Sequence, residues 1–167
     1  NAVRAARMAV IPLWADHIGR DASAASLIDG IAGGVEMLVF YPAGFVMDRK
    51  GRLAVALPSL LIMGTALLLM PLAHSAVTLL IAASAVGFGN GIGSGLIMTL
   101  GADHAPPAAR AQFLGIWRLM TDIGAACGPG LLSLLTAVSS LSIGVIAIGL
   151  LAFAAAAQLR RWIPRRG

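Results

Sequence analysis

The feature that most constrains this chain is a succession of apolar stretches, each long enough to form a helix. Six stretches occupy residues 3–19, 23–47, 53–73, 76–101, 109–136 and 141–159. A membrane-spanning helix needs about 20 mostly apolar residues, and the connections are too short for a separate soluble domain. No stretch alternates residue by residue as barrel strands do. We therefore predict an all-α integral membrane fold, a single unit over residues 1–167 with six transmembrane helices.

Composition supports the bilayer as the solvent. Hydrophobic residues make up 59% of the chain and charged residues 11%, whereas soluble domains carry about 25% charged residues. The single cysteine, Cys127, excludes an intrachain disulfide and a cysteine-based metal site. His17 and His104 each follow an aspartate at a helix end, a pattern more typical of a solvated loop than of metal ligands. We predict no metal and no cofactor.

The positive charges predict an orientation. If six helices alternate across the membrane, only Arg20 falls on one side. The other eleven positive residues fall on the opposite side: Arg4, Arg7, Arg49, Lys50, Arg52, Arg110, Arg118, Arg160, Arg161, Arg165 and Arg166. Because cytoplasmic loops are enriched in Lys and Arg, we predict that both ends of the chain lie in the cytoplasm and that the membrane is the cell (inner) membrane. The spread of these charges does not indicate nucleic-acid binding.

Charged residues interrupt the apolar sequence after the second stretch, in the segment "AGFVMDRKGR". Its key positions are Gly44, Asp48, Arg49, Gly51 and Arg52. The spacing resembles the signature loop G-x-x-x-D-R/K-x-G-R, which follows the second helix of each six-helix half in the major facilitator superfamily. Glycine permits a tight reversal, and an aspartate accepts strong hydrogen bonds from arginine and from a helix N-terminus. We predict a conformational-switch loop that holds one state and releases it in the other.

The fifth stretch carries a second resemblance. Gly115, Gly124 and Gly128-Pro129 follow the spacing G-x8-G-x3-G-P, which is similar to the fifth-helix motif of drug–proton antiporters in this superfamily. Leu132 and Ser133 replace the two glycines that usually follow. Proline removes a helix hydrogen bond, so we predict a pliable point at Gly128-Pro129.

Glycines also recur in the fourth stretch. Gly87, Gly91 and Gly95 are four residues apart and therefore share one face of a helix. Small residues let neighbouring helices approach closely in a membrane, so we predict a packing face. No G-x-G-x-x-G register fits the segment, and a nucleotide-binding loop is not indicated.

The resemblance implies an architecture and a function. It implies one half of a twelve-helix transporter. The missing fourth-helix arginine motif and the basic close "RRWIPRRG" favour the C-terminal half, whereas the loop motif and the fifth-helix motif are more typical of N-terminal halves. It further implies a secondary active transporter that works by alternating access, with proton-coupled efflux of small organic solutes as the expected activity. The implied partners are the lipid bilayer, the other six-helix half, a small-molecule substrate and protons.

Four charged residues lie within apolar stretches. Asp29 and Glu36 belong to the second stretch, and Arg118 and Asp122 belong to the fifth. Each charge costs roughly 2.5–3.5 kcal/mol at the bilayer centre, so we expect all four to face protein or a water-filled cavity. Arg118 and Asp122 are spaced to pair along one helix. Glu36 has no such partner in its own helix, which favours a role in a substrate or proton pathway, although a structural role stays open for the Arg118–Asp122 pair.

Two alternatives remain at this point. One is a membrane subunit that has a transporter-like fold and does not transport. The other is an enzyme similar to the CDP-alcohol phosphotransferases, to which Asp29-Gly30 and the Gly44–Asp48 spacing show a faint resemblance. In that family a metal-binding aspartate stands where this chain has Arg52, and a cation there would repel a divalent ion. The enzyme alternative is the weaker of the two.

Overall fold

The chain folds into a bundle of α-helices. The structure is a computed structural model and describes residues 1–162. Its helices are α1 Ala2–His17, α2 Ala22–Lys50, α3 Leu53–Leu69, α4 Ala76–Gly93, α5 Leu96–His104, α6 Arg110–Val138 and α7 Leu141–Trp162. Single turns of 3-10 helix follow α3 and precede α6, and no strand occurs within residues 1–162. The predicted all-α class is confirmed, while Arg165 and Arg166 lie outside the described residues.

Five segments are long and apolar enough to cross a membrane. They are Ala22–Lys50, Leu53–Leu72, Ala76–His104, Pro107–Val138 and Leu141–Arg161. The first predicted helix is the exception, because the 16 residues of α1 reach only about 24 Å at the rise of an α-helix. A typical hydrocarbon core is about 30 Å thick.

The fourth predicted helix is broken, which corrects its description as one continuous element. α4 ends at Gly93 and α5 begins at Leu96, with Ser94 and Gly95 between them. Glycine has low helix propensity, and three glycines alternate with other residues over 91–95. Ser94 and Gly95 keep φ near −60° and −81°, so the fourth span, α4 and α5 together, continues in one direction across a local break.

The predicted loop after the second helix is also corrected. α2 continues to Lys50, so the charged residues Asp48, Arg49 and Lys50 form its last turn. Only Gly51 and Arg52 connect α2 to α3. Gly51 has φ +85°, a backbone conformation that side chains with a Cβ rarely adopt, and this allows the two-residue reversal.

α4 occupies the centre of the packing. It lies between α2 and α3, while α7 packs on α3, and α1 packs on α6 and α2. Trp14 of α1 is buried and its indole N–H donates to the carbonyl oxygen of Ala73 at 3.0 Å. The connected core therefore runs from α1 through α4 to α3 and α7.

Two helices remain largely uncovered. In the most apolar part of each span, only 17% of the residues of α2 and 11% of those of α6 are buried. The corresponding shares are 44% for α3 and 39% for α7. Large apolar side chains such as Leu38 and Tyr41 on α2 and Met120 and Leu134 on α6 are exposed. These two helices present the apolar faces that this chain does not cover.

Candidate functional site

The centre of the candidate site is the carboxylate of Glu36. Glu36 is the fifteenth of the 29 residues of α2, so it lies midway along the span. Its Oε2 atom is 2.6 Å from Nη2 of Arg7 on α1, and its Oε1 atom accepts a hydrogen bond of 2.6 Å from Nδ2 of Asn90 on α4. The Arg7 and Glu36 side chains are 10% and 19% exposed. The carboxylate is thus held between two helices.

Arg4 extends this arrangement to the break in the fourth span. Its Nε atom donates to Oδ1 of Asn90 at 2.8 Å. Its two terminal nitrogens donate to the carbonyl oxygens of Asn90 and Gly93. The last four carbonyl groups of a helix lack intrahelical partners, and a cation near a helix C-terminus is favourable. Arg4 therefore caps α4 and fixes the Asn90 side chain at the same time.

Glycines bring the polar groups of α2 and α4 together. A Cβ atom added at Gly91 would lie 2.6 Å from the carbonyl oxygen of Glu36, and one added at Gly87 would collide with the carbonyl oxygen of Ala32. The helix backbones can approach this closely only because neither glycine carries a side chain. The close contact lets the short Asn90 side chain reach Glu36. In contrast, a Cβ atom added at Gly95 would lie 3.8 Å from the nearest side-chain atoms, which is an ordinary contact distance.

Arg4, Arg7, Glu36 and Asn90 form one unit, here called the midspan cluster. Asn90 is the fifteenth of the 29 residues between Ala76 and His104, so both α2 and the fourth span contribute their middle residue. Ionisable groups at this depth of a membrane protein are expensive to bury and typically mark substrate, ion or proton pathways. The cluster combines a carboxylate that can change protonation state with guanidinium groups that stay charged.

The second predicted pair, Arg118 and Asp122, lies on α6 and has no hydrogen bond to the midspan cluster within the described residues. Nε of Arg118 is 3.0 Å from Oδ2 of Asp122, with the side chains 63% and 57% exposed. Among residues 1–162, no other helix covers this face of α6. Asp29 is also exposed and lines a cavity at the end of α1 and α2 with Asp16 and Arg20. The four predicted pathway residues therefore fall into three separate places.

The switch loop makes its strongest contact with a residue that the sequence analysis did not include. Arg52 donates from Nε to Oδ2 of Asp103 at 2.9 Å and from Nη2 to Oδ1 at 3.2 Å. Its contact with Asp48 is longer, at 3.5 Å. Hydrogen bonding to the Asp103 carboxylate raises the pKa of Arg52 above its ordinary value. Arg49 stacks over the ring of Phe45, 4.1 Å from its centroid.

The glycines of α6 have different surroundings. A Cβ atom at Gly128 would collide with the carbonyl oxygen of Ala2 and lie 3.1 Å from the backbone nitrogen of Ala6, so this glycine allows α1 to pack closely on α6. Gly115 has nothing within 4 Å, and Gly124 has only Cβ of Asn1 at 3.7 Å. Pro129 lies inside α6, which runs unbroken from Arg110 to Val138.

Sequence analysis missed three of the four members of the midspan cluster. The positive-inside pattern alone does not explain Arg4 and Arg7, because both contact polar groups inside the bundle. Asn90 was not considered. The available signal was the spacing of Arg4 and Arg7, three residues apart within an apolar stretch, which places both on one helix face.

Within the described part of the chain, no group of three or more His, Cys, Asp or Glu side chains is placed to hold a metal ion. The carboxylates of Asp48 and Asp103 both form ion pairs with Arg52.

Comparison with known proteins decides the family. The sequence profile of the Major Facilitator Superfamily matches residues 2–167. The chain belongs to this superfamily. Members of the superfamily are membrane transporters of small solutes and not enzymes, which excludes the phosphotransferase alternative. The chain is accordingly a multi-pass membrane segment with the helical arrangement of one major facilitator half.

Two relatives from Bacillus subtilis (strain 168) show the range of similarity. The chain is 33% identical over 82 residues to an arabinose-proton symporter, a match covering 49% of this chain and 18% of that protein. It is 31% identical over 141 residues to YdeG, an uncharacterized MFS-type transporter, covering 83% of this chain and 33% of YdeG. The matches thus span a third or less of the length of either relative.

Proposed function

We propose that the protein containing this chain is a secondary transporter that couples the movement of a small organic solute to protons by alternating access. In this proposal Glu36 takes up and releases the coupled proton. The observation that carries the proposal is the position of its carboxylate, midway along α2 and bound by both Arg7 and Asn90.

The contacts of Glu36 supply a physical reason for proton coupling. An ionised carboxylate is stabilised by a guanidinium partner at 2.6 Å, and that stabilisation is lost if α1 moves away from α2. A carboxylate deprived of its cation in a poorly hydrated site favours the protonated form. Rearrangement of α1 against α2 would therefore give Glu36 different electrostatic surroundings in the two states of the transporter.

Two directions of transport each have a specific observation in their favour. The spacing of Gly115, Gly124 and Gly128-Pro129 favours proton-coupled efflux, as in drug–proton antiporters. The similarity to an arabinose-proton symporter favours movement of solute and proton together. Efflux by antiport is our first proposal and symport is the second.

The exposed apolar faces of α2 and α6 indicate where another part of the transporter packs in the bilayer. We propose that α2 and α6 pack against the other six-helix half and that the substrate cavity lies between the halves. Exposing a charged pair to lipid is energetically costly. The exposed Arg118–Asp122 pair therefore supports contact of this face with protein or water rather than with lipid. We further propose that this chain is the C-terminal half and that both its ends are cytoplasmic in the cell membrane.

The test uses the full-length protein in vesicles that contain a pH-sensitive dye. Solutes of three chemical classes are added outside: L-arabinose, the amphiphilic cation ethidium, and benzoate. Proton movement in protein-free vesicles, which benzoate causes by entering as benzoic acid, is subtracted. We expect at least one class to move protons in the parent, and Glu36→Gln to abolish this proton movement while exchange of the same labelled solute continues. Gln keeps the size and hydrogen-bonding capacity of Glu but cannot be ionised.

Asp21→Asn is the matched control because it makes the same carboxylate-to-amide change on the same helix. Asp21 caps the start of α2, and Asn serves equally well as an N-cap. The control should move protons as the parent does. If Glu36→Gln also moves protons like the parent, Glu36 is structural, and Asp122 or Asp29 becomes the next candidate.

A further inference from the structure

The hydrogen bonds of the midspan cluster leave one donor without a partner. Arg4 directs all three of its donor nitrogens to α4, and both oxygens of Glu36 are occupied by Arg7 and Asn90. Nη1 of Arg7 is buried and has no hydrogen-bond acceptor within the described residues. A buried unsatisfied charged donor costs more than a neutral one. The position beside Nη1 therefore requires an acceptor.

The charge of the cluster indicates what kind of acceptor fits. Two guanidinium cations face one carboxylate, which leaves one net positive charge. α4 carries no ionisable side chain, and its C-terminal carbonyls contribute about half a negative charge at most. The nearest other acid of α2 within its span is Asp29, two turns from Glu36 and exposed. A carboxylate is the acceptor that a guanidinium binds most strongly, through two parallel hydrogen bonds, so an anion fits this position better than a neutral group does.

We propose that the transported solute is a small organic anion whose carboxylate binds Arg7 in exchange for Glu36. This inference rests on the second form of the proposed function, symport, and names its substrate class. A proton from the aqueous side binds Oε2 of Glu36 and weakens its ion pair with Arg7. The guanidinium then presents Nη1 and Nη2 to the solute carboxylate as a bidentate fork. Release of the solute lets Glu36 lose its proton and re-form the pair.

The exchange of Glu36 for the solute carboxylate at Arg7 determines how many protons accompany each solute and in which direction they move. One carboxylate occupies Arg7 at a time, so each bound monoanion brings one proton, and the two move together across the membrane. Arg4 and Arg7 stay charged throughout because guanidinium groups do not deprotonate in proteins. In this proposal Glu36 is therefore the group that carries the proton, since Asn90 does not ionise.

The experiment measures ligand binding by thermal stabilisation of the full-length protein in detergent. Benzoate is compared with benzamide, a neutral molecule of the same shape, at pH 5.5, 6.5 and 7.5. Carboxyl groups titrate near about 4, so benzoate is ionised throughout this range. Uptake of one proton per bound anion predicts that benzoate affinity falls by up to about tenfold per pH unit on the alkaline side. Benzamide should show no such dependence.

Three variants separate the residues involved. Glu36→Gln should bind benzoate at pH 7.5 as tightly as at pH 5.5, because Gln never competes for Arg7. Arg7→Lys keeps the charge but loses the planar fork, and we expect at least about tenfold weaker benzoate binding. Arg110→Lys makes the same change at an exposed position at the start of α6 and should behave as the parent.

Each outcome supports or overturns the inference. If benzoate binds no better than benzamide, or if its affinity does not change with pH in the parent, a water or neutral group fills the position beside Arg7 and the inference is overturned. In that case arabinose or ethidium still moves protons in vesicles if the proposed function is correct. If no solute moves protons, the proposed function fails, whatever the binding data show.

Discussion

At the scale of single residues, Arg4 joins a helix end to a charge cluster. We predict that Arg4→Met destabilises the protein by about 2–4 kcal/mol, because the carbonyl groups of Asn90 and Gly93 lose their donor and each buried unsatisfied acceptor costs about 1–3 kcal/mol. Methionine retains much of the apolar bulk of the arginine stem. Thermal unfolding of the full-length protein in detergent measures the effect.

Arg110→Met provides the matched control for Arg4→Met. Arg110 is exposed at the start of α6, and surface substitutions usually change stability by less than about 0.5 kcal/mol. Equal thermal midpoints for the two variants would mean that Arg4 does not cap α4.

The sequence allowed only part of the midspan cluster to be predicted. Glu36 could be found because an acid in the middle of an apolar stretch is conspicuous. Its partners could not, since pairing Arg7 and Asn90 with Glu36 requires knowing that α1 and α4 both pack on α2. Arg4 and Arg7 also satisfied the positive-inside pattern, and this simpler explanation concealed their spacing on one helix face.

At the scale of elements, the contact between α2 and α4 depends on glycine. We predict that Gly91→Ala destabilises the protein by about 1–3 kcal/mol, the usual cost of overpacking, because the added Cβ would lie 2.6 Å from the carbonyl oxygen of Glu36. The same change should weaken the Asn90–Glu36 hydrogen bond. Thermal unfolding and the proton-movement assay measure the two effects.

Gly115→Ala is the control for the α2–α4 contact, because a Cβ there meets no atom within 4 Å. Alanine has the higher helix propensity, so this variant should be as stable as the parent or slightly more stable. If the Gly91→Ala and Gly115→Ala variants unfold at the same temperature, close contact between α2 and α4 does not contribute to stability.

The existence of the helices followed from the length of the apolar stretches, whereas the break in the fourth span did not. Glycines at positions 87, 91 and 95 predict a smooth packing face equally well in a continuous and in a broken helix. The break depends on Arg4, which supplies donors to the carbonyl groups of Asn90 and Gly93 from another helix. Helix propensities within the fourth stretch alone cannot reveal this contact with α1.

At the scale of the whole molecule, alternation of the spans separates two sets of connections. The turns at residues 18–21, 70–75 and 139–140 lie at one end of the bundle, and those at residues 51–52 and 105–109 lie at the other. Arg49, Lys50, Arg52 and Arg110 belong to the second end. The positive-inside rule therefore still predicts a cytoplasmic location for that end, even with Arg4 and Arg7 assigned to the interior.

Cysteine labelling of intact cells tests this orientation in the full-length protein. Cys127 is exposed and is first replaced by Ser. Single cysteines are then introduced at His74 and Ser139, at one end, and at Lys50, at the other; all three positions are exposed. His74 is preferable to the adjacent Ser75, whose hydroxyl caps α4. We predict that an impermeant thiol reagent added outside labels the His74→Cys and Ser139→Cys variants, while the Lys50→Cys variant reacts only after the membrane is permeabilised. Labelling of Lys50→Cys in intact cells, with His74→Cys protected, would invert the orientation and place the Arg52–Asp103 contact on the outer side of the membrane.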